Sequence, residues 1–164
     1  MIDLSENQEK HEDCDDCECK ASSDITEKVR FNKMFRDFEQ TKMGEALKYI
    51  RAEIRDLNLE QKLYWYRDEN GIRLSAVCLI KDSDDNIARG VSFWNVEEDN
   101  FSAIQAKYYA IKRALRAYKK GTDFSSEIRN DFAVGNPDGF KYKSDFIAEK
   151  SLTGQERKML KIAG

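Results

Sequence analysis

The clearest pattern in the chain is LYWYRDENGIRLSAVCLIK, residues 63–81. Its aromatic start suits a β-strand, and residues 72–81 alternate between two sets of side chains with a period of two. Asn70 and Gly71 lie between these stretches, and this dipeptide favours a hairpin turn because both positions tolerate positive φ. Residues 72–81 are therefore predicted to pair antiparallel with residues 62–67.

A third strand and a helix follow the hairpin. After the polar turn at 82–86, residues 87–96 predict another strand, which completes a three-stranded antiparallel meander. The acid-rich stretch 97–100 suits the start of a helix, and Gly121 is a natural residue for its end. Between them an apolar stripe repeats with helical spacing, formed by Ile104, Tyr108, Ile111, Leu115 and Tyr118.

The region before the hairpin combines an arm with helical segments. Apolar residues at helical spacing predict one helix over about 24–39 and a second over about 43–57, or one kinked helix across both. Residues 1–22 contain no aromatic side chain. Such a stretch does not bury enough surface to offset its ordering entropy, so we expect a flexible acidic arm.

A C-terminal extension is predicted over 122–164. It is aromatic and rich in turn residues, and Thr153 with Glu156 predicts a capping box that opens a short terminal helix over about 154–163. The predicted fold class is therefore α+β. A three-stranded antiparallel sheet is covered by helices in an α-β-β-β-α core that spans residues 23–121.

The composition argues against membrane, secreted and enzymatic proteins. The 164-residue chain has no run of 18 apolar residues and no secretory pattern near Met1, so we expect a soluble, cytoplasmic protein. It has one histidine and no glycine loop that would cradle phosphates. The acid clusters at 82–85 and 97–99 suit turns and helix caps better than a magnesium site. We expect no catalytic activity and no required cofactor.

One group in the arm has the side chains of a zinc site. His11, Cys14, Cys17 and Cys19 lie within nine residues and would together complete a tetrahedral zinc site. The alternative is a set of reduced thiols in a disordered arm, because structural zinc sites usually join two separated pairs of ligands. Cys78 is different, since it lies in a predicted strand and is expected to be a buried apolar residue.

The charge distribution points to a polyanionic partner. Residues 1–28 carry a net charge of −7 and the remaining residues carry +4, whereas residues 105–120 contain six bases and no acid. Lys112, Arg116 and Lys119 lie at i, i+4 and i+7, and such a helix flank can neutralise phosphates. The predicted nucleic-acid contacts are Lys107, Lys112, Arg113, Arg116, Lys119 and Lys120, with the rings of Tyr66 and Trp94 for stacking on bases. The alternatives are a solvated helix surface, aromatic rings packed in the core, and an arm that only solubilises the chain.

Two stretches resemble a known fold. The hairpin strand RLSAVCLIK (73–81) leading to IARGVSF (87–93), and the helix end KRALRAYKKG (112–121), are similar to the pairing domain of single-strand-annealing recombinases and to small bacteriophage proteins. The order of elements resembles that of double-stranded-RNA-binding domains. The helix opens with NFSAIQA (100–106) where RNA-binding members carry a lysine-rich cluster. The resemblance, which covers residues 62–121, therefore favours single-stranded DNA over double-stranded RNA as the partner.

These observations predict a non-enzymatic nucleic-acid-binding protein. By resemblance it would be a phage-type DNA-metabolism or annealing accessory protein, and it would then act in the host cytoplasm. The alternative is a protein-binding module, such as a phage-encoded inhibitor of a host or defence protein. That module would dock through its acidic arm or through the aromatic segment 124–146.

Overall fold

The computed structural model describes residues 16–94, 102–122 and 127–163. The chain divides into two compact units after Phe38. The described part of the first unit, residues 16–38, is helical. The second unit, from Glu39 onward, holds the sheet and the buried apolar clusters. Among the described residues, no helix has both the length and the apolar character that a membrane span requires.

Helix α1 is one continuous α-helix, Asp16–Asp56, where the sequence predicts two helices or one kinked helix. The sequence predicts a break at residues 40–44, but a glycine such as Gly44 costs only about 1 kcal/mol relative to alanine within a helix, which is too little to end it. The helix begins at Asp16 rather than near residue 24, so residues 16–22 of the predicted arm are helical. Residues 1–15, the rest of that arm, lie outside the described residues.

The described strands form one antiparallel sheet in the order β1-β2-β3-β4. They span Glu60–Arg67, Arg73–Lys81, Ile87–Phe93 and Ser144–Ile147. The predicted hairpin is confirmed, with Tyr64 opposite Val77. In its turn Gly71 has a φ of 79°, and Oδ1 of Asp68 accepts hydrogen bonds from the backbone N–H groups of Asn70 and Ile72.

Strand β4 corrects the prediction of a three-stranded sheet. It pairs with β3 so that Asp145 lies opposite Arg89. The stretch Ser144–Ile147 is only four residues long and half polar, so it lacks the apolar alternation from which strands are predicted. Its position depends on backbone pairing with a strand more than fifty residues earlier in the chain.

The two faces of the sheet are covered by different parts of the chain. Helix α2, Ala103–Lys120, packs with the second half of α1 on one face. The C-terminal extension covers the other face. The first cluster includes Leu47, Ile50, Ile54, Ala76, Cys78, Ile80, Ala110, Ile111 and Ala114. The second includes Tyr64, Val77, Leu79, Ile87, Val91, Phe140, Leu152 and Leu160. The predicted alternation along β2 is therefore confirmed, as is the burial of the Cys78 thiol.

The predicted terminal helix is confirmed in type but is shorter than expected. Helix α3 spans Gly154–Met159 and opens with the predicted capping box of Thr153 and Glu156. Two short 3-10 helices, Asn130–Gly135 and Glu149–Ser151, precede it in the region where no element is predicted.

Candidate functional site

Helix α2 begins and ends with local capping interactions. The Ser102 hydroxyl accepts a hydrogen bond from the backbone N–H of Gln105, at 3.3 Å. At the other end Gly121 has a φ of 63°, and its N–H donates to the carbonyls of Ala117 and Tyr118, which confirms the predicted end. The acid-rich stretch 97–100 that was predicted to precede the helix lies outside the described residues.

The alanines of α2 set the direction of its basic side. Ala110, Ala114 and Ala117 have no solvent exposure and lie against the sheet. At Gly90 of β3 the helix backbone approaches so closely that a Cβ atom there would overlap the carbonyl of Ala110. Ile111 and Leu115 are buried too, in the apolar cluster that α2 shares with α1, so only the arc opposite these buried residues faces outward. Of its bases, Lys112, Arg116, Lys119 and Lys120 are exposed, while Lys107 and Arg113 are half-buried.

A groove of about 500 Å³ separates the outward side of α2 from α1. Its lining includes Tyr49 and Glu53 from α1, and Tyr108, Lys112, Arg116 and Lys119 from α2. The Lys112 ammonium lies 5.3 Å from the centre of the Tyr108 ring, which is a cation–π contact. The Tyr49 side chain is 79% exposed at the rim. The groove thus combines cationic ends with exposed and partly exposed aromatic rings.

One cation of the groove has an acidic neighbour. Lys119 forms an ion pair with Glu53, and both side chains are about half exposed. Exposed ion pairs contribute about 0–1 kcal/mol, so this contact is readily exchanged for another anion. The predicted basic flank is therefore partly neutralised at Lys119.

Arg113 points away from the groove, toward β3. Its Nη1 donates to the carbonyl of Val91 at 2.5 Å, and its guanidinium lies 5.5 Å from the ring of Tyr109. Burial lowers the pKa of Arg113. Arg113 directly follows Lys112 in the sequence, so its side chain points about 100° further around the helix. The prediction of one common basic surface therefore combined residues from two different flanks of α2.

The two rings predicted to stack on bases do not line the groove. Tyr66 packs edge-on against Tyr64, with ring centres 5.5 Å apart, and also contacts Phe140. It lies on the sheet face that the C-terminal extension covers, and its hydroxyl is buried. Trp94 is half-buried, and its backbone N–H donates to the Leu74 carbonyl. Tyr49 has the exposure that was predicted for these rings, and it was not singled out from the sequence.

The predicted metal ligands lie mostly outside the described residues. His11 and Cys14 precede the described chain, while Cys17 and Cys19 lie in α1 with side chains that are not described. Within the described ranges no cluster of three His, Cys, Asp or Glu side chains is arranged to hold a metal ion. The acids at 82–85 belong to a turn, where Asp82 accepts from the backbone N–H groups of Asp84 and Asn86.

A buried polar network joins the C-terminal extension to the sheet. Arg89, which is 4% exposed, donates to both oxygens of Glu156 at 2.7 and 2.6 Å and to Asp145 at 3.3 Å. The Tyr64 hydroxyl donates to Glu156, and the guanidinium stacks over Phe140 at 4.1 Å. The sequence offers one signal for this network, a lone arginine inside the otherwise apolar and small-residue strand β3.

Searches against protein-family models, curated proteins and solved structures found no match to this chain.

Proposed function

We propose that the chain is a non-enzymatic nucleic-acid-binding protein and that the groove between α1 and α2 holds a single strand of nucleic acid. The observation that carries this proposal is the exposure of Lys112 and Arg116, on a helix without acids, beside the exposed ring of Tyr49. Cations along a groove neutralise backbone phosphates, and aromatic rings stack on unpaired bases.

The aromatic component favours a single strand over a duplex. In a duplex the base faces are stacked on each other, so a side chain such as Tyr49 has no ring face to contact unless the strand is opened. Each base stacked on an aromatic side chain contributes about 1–3 kcal/mol. This preference agrees with the resemblance to annealing domains, and we propose an accessory role in phage-type DNA metabolism on that basis.

The charges of the two groove walls support phosphate contact from α2 rather than from α1. Residues 103–120 carry six bases and no acid, whereas residues 39–56 carry four bases and four acids. A strand in the groove would therefore place its phosphates against α2. Glu53 would release Lys119 to a phosphate at little cost, because their ion pair is exposed.

The test is a charge reversal on α2 with a matched control. Fluorescence anisotropy would measure binding of the full chain to a labelled oligothymidine of about 16 nucleotides, the upper site size of one small binding domain. We expect the variant K112E/R116E to lose binding and to keep its far-ultraviolet circular dichroism. The control K150E/K158E also reverses two exposed charges, but on the C-terminal extension. It should bind like the wild type.

Two results would overturn the proposal. Wild-type affinity in K112E/R116E would exclude this helix flank as the binding surface. Failure of the wild type to bind single- or double-stranded DNA or RNA at low salt would exclude nucleic-acid binding altogether. The protein-binding module would then be the better hypothesis.

A further inference from the structure

A second group of cations lies on the other flank of α2, and of its members only Arg113 was predicted from the sequence. We define the edge cluster as Arg113, Arg129, Lys143 and the ring of Phe132. The Lys143 ammonium is 5.4 Å and the Arg129 guanidinium 5.3 Å from the centre of that ring. The ring itself stacks on Phe93, with centres 5.1 Å apart and planes inclined by 23°.

The edge cluster is held by the backbone of β3. The Val91 N–H donates to the carbonyl of Lys143 at 2.9 Å, and the Val91 carbonyl accepts from Arg113. The Ser144 hydroxyl also donates to the Arg113 carbonyl at 3.0 Å. Arg113 and Lys143 are thus neighbours whose positions depend on one strand residue, although they are thirty residues apart in sequence.

The edge cluster has more positive than negative charge. Asp131 pairs with Arg129 at 2.9 Å, but in the part of the chain that the structure describes no carboxylate forms an ion pair with Arg113 or Lys143. Burial, followed by the charges of Arg113 and Arg129, lowers the pKa of Lys143, and Asp131 opposes this effect. Two half-buried cations side by side are costly, and a bound anion would offset that cost with charge-assisted hydrogen bonds.

We propose that the edge cluster binds a phosphate of the same single strand that occupies the groove, an inference that rests on the proposed function. Arg113 is adjacent to Lys112 and lies three residues before Arg116, so the exposed side of α2 joins the two sites without an intervening acid. A nucleic-acid strand that leaves the groove and crosses α2 therefore reaches Arg113, Lys143 and Arg129.

The proposal is tested by the salt dependence of binding, because this dependence becomes steeper with each phosphate that the protein neutralises. The observed affinity for the same oligothymidine would be measured between about 50 and 200 mM salt, and each lost phosphate contact should reduce the slope of log affinity against log salt by about 0.7. Because Arg113, Lys143 and Arg129 would share one phosphate, we expect K143Q and R129Q each to reduce the slope, by at most about this amount. Arg129 is well exposed and its side chain contacts Phe132 and Asp131, so R129Q should leave the buried core unchanged.

The control is K141Q, two residues from Lys143, where the lysine is exposed and pairs with Glu127 at 3.4 Å. Its slope should equal that of the wild type. If the wild type binds but K143Q and R129Q keep its slope, the edge cluster is not a phosphate site, while the groove proposal stands. If the wild type does not bind, both proposals are overturned.

Discussion

Glu156 is predicted to be the most sensitive charged position of the described core, and the variant E156Q tests this. The carboxylate is completely buried and accepts from Tyr64, twice from Arg89, and from the backbone N–H of Thr153. Glutamine has nearly the same volume and is also accepted at this position of a capping box, so the change removes charge while it preserves packing and capping.

The expected loss follows from the burial of Arg89. Without Glu156 the guanidinium keeps one carboxylate, Asp145, at 3.3 Å, and one of its former acceptors becomes an amide N–H₂ group. Removing one partner of a buried ion pair costs about 3–5 kcal/mol because the other charge remains buried. A protein of this size loses about 2–4 °C in Tm per kcal/mol, so we expect a decrease of about 6–20 °C.

The assay is urea unfolding followed by far-ultraviolet circular dichroism, with E149Q as the matched control. Glu149 lies on the same extension, but its ion pair with Arg157 is partly exposed and 3.7 Å long, so its loss should cost less than about 1 kcal/mol. A loss below about 1 kcal/mol in E156Q as well would refute the idea that this network holds the extension to the sheet.

Two further predictions concern the packing of α2 and the response to alkali. The free energy of unfolding of G90A should be lower by about 1–3 kcal/mol or more, because the new Cβ would overlap the backbone of α2. That of G44A, in an open part of α1, should be higher by about 0.5–1 kcal/mol. Equal effects of the two variants in urea unfolding would contradict this prediction. Burial raises the pKa of the Cys78 thiol and of the Tyr64 hydroxyl above their ordinary values of 9.0 and 10.0. Above about pH 9 the unfolded chain therefore releases protons that the folded chain keeps, and this release favours unfolding. The two groups leave the free energy of unfolding unchanged below about pH 9 and decrease it as the pH rises further. The urea midpoint should fall above that pH, less so in C78A, and a midpoint that stays constant up to about pH 11 would contradict the prediction.

The features that were predicted correctly depend on nearby residues. The hairpin around Gly71, the end of α2 at Gly121 and the capping box at Thr153 each involve positions within a few residues of one another, so their residue types identify them. The burial of Cys78 follows from alternation along one strand. These signals need no knowledge of distant partners.

The features that were missed depend on contacts between distant parts of the chain. Strand β4 is defined by its pairing with β3, and the burial of Asp145 depends on its ion pair with Arg89. Helical spacing placed Arg113 with the other bases, but the sheet edge beside it determines that it turns toward Val91. The exposure of Tyr49 likewise depends on how α1 and α2 lie on the sheet, which a single helical pattern does not reveal.

Occupation of the groove between α1 and α2 by a single nucleic-acid strand is the proposal on which the function depends. Its most direct test is a nuclear magnetic resonance titration of the isotope-labelled full chain with the oligothymidine. We expect chemical-shift changes concentrated at Tyr49, Lys112 and Arg116. Changes confined to the C-terminal extension, or no changes at saturating oligothymidine, would contradict it.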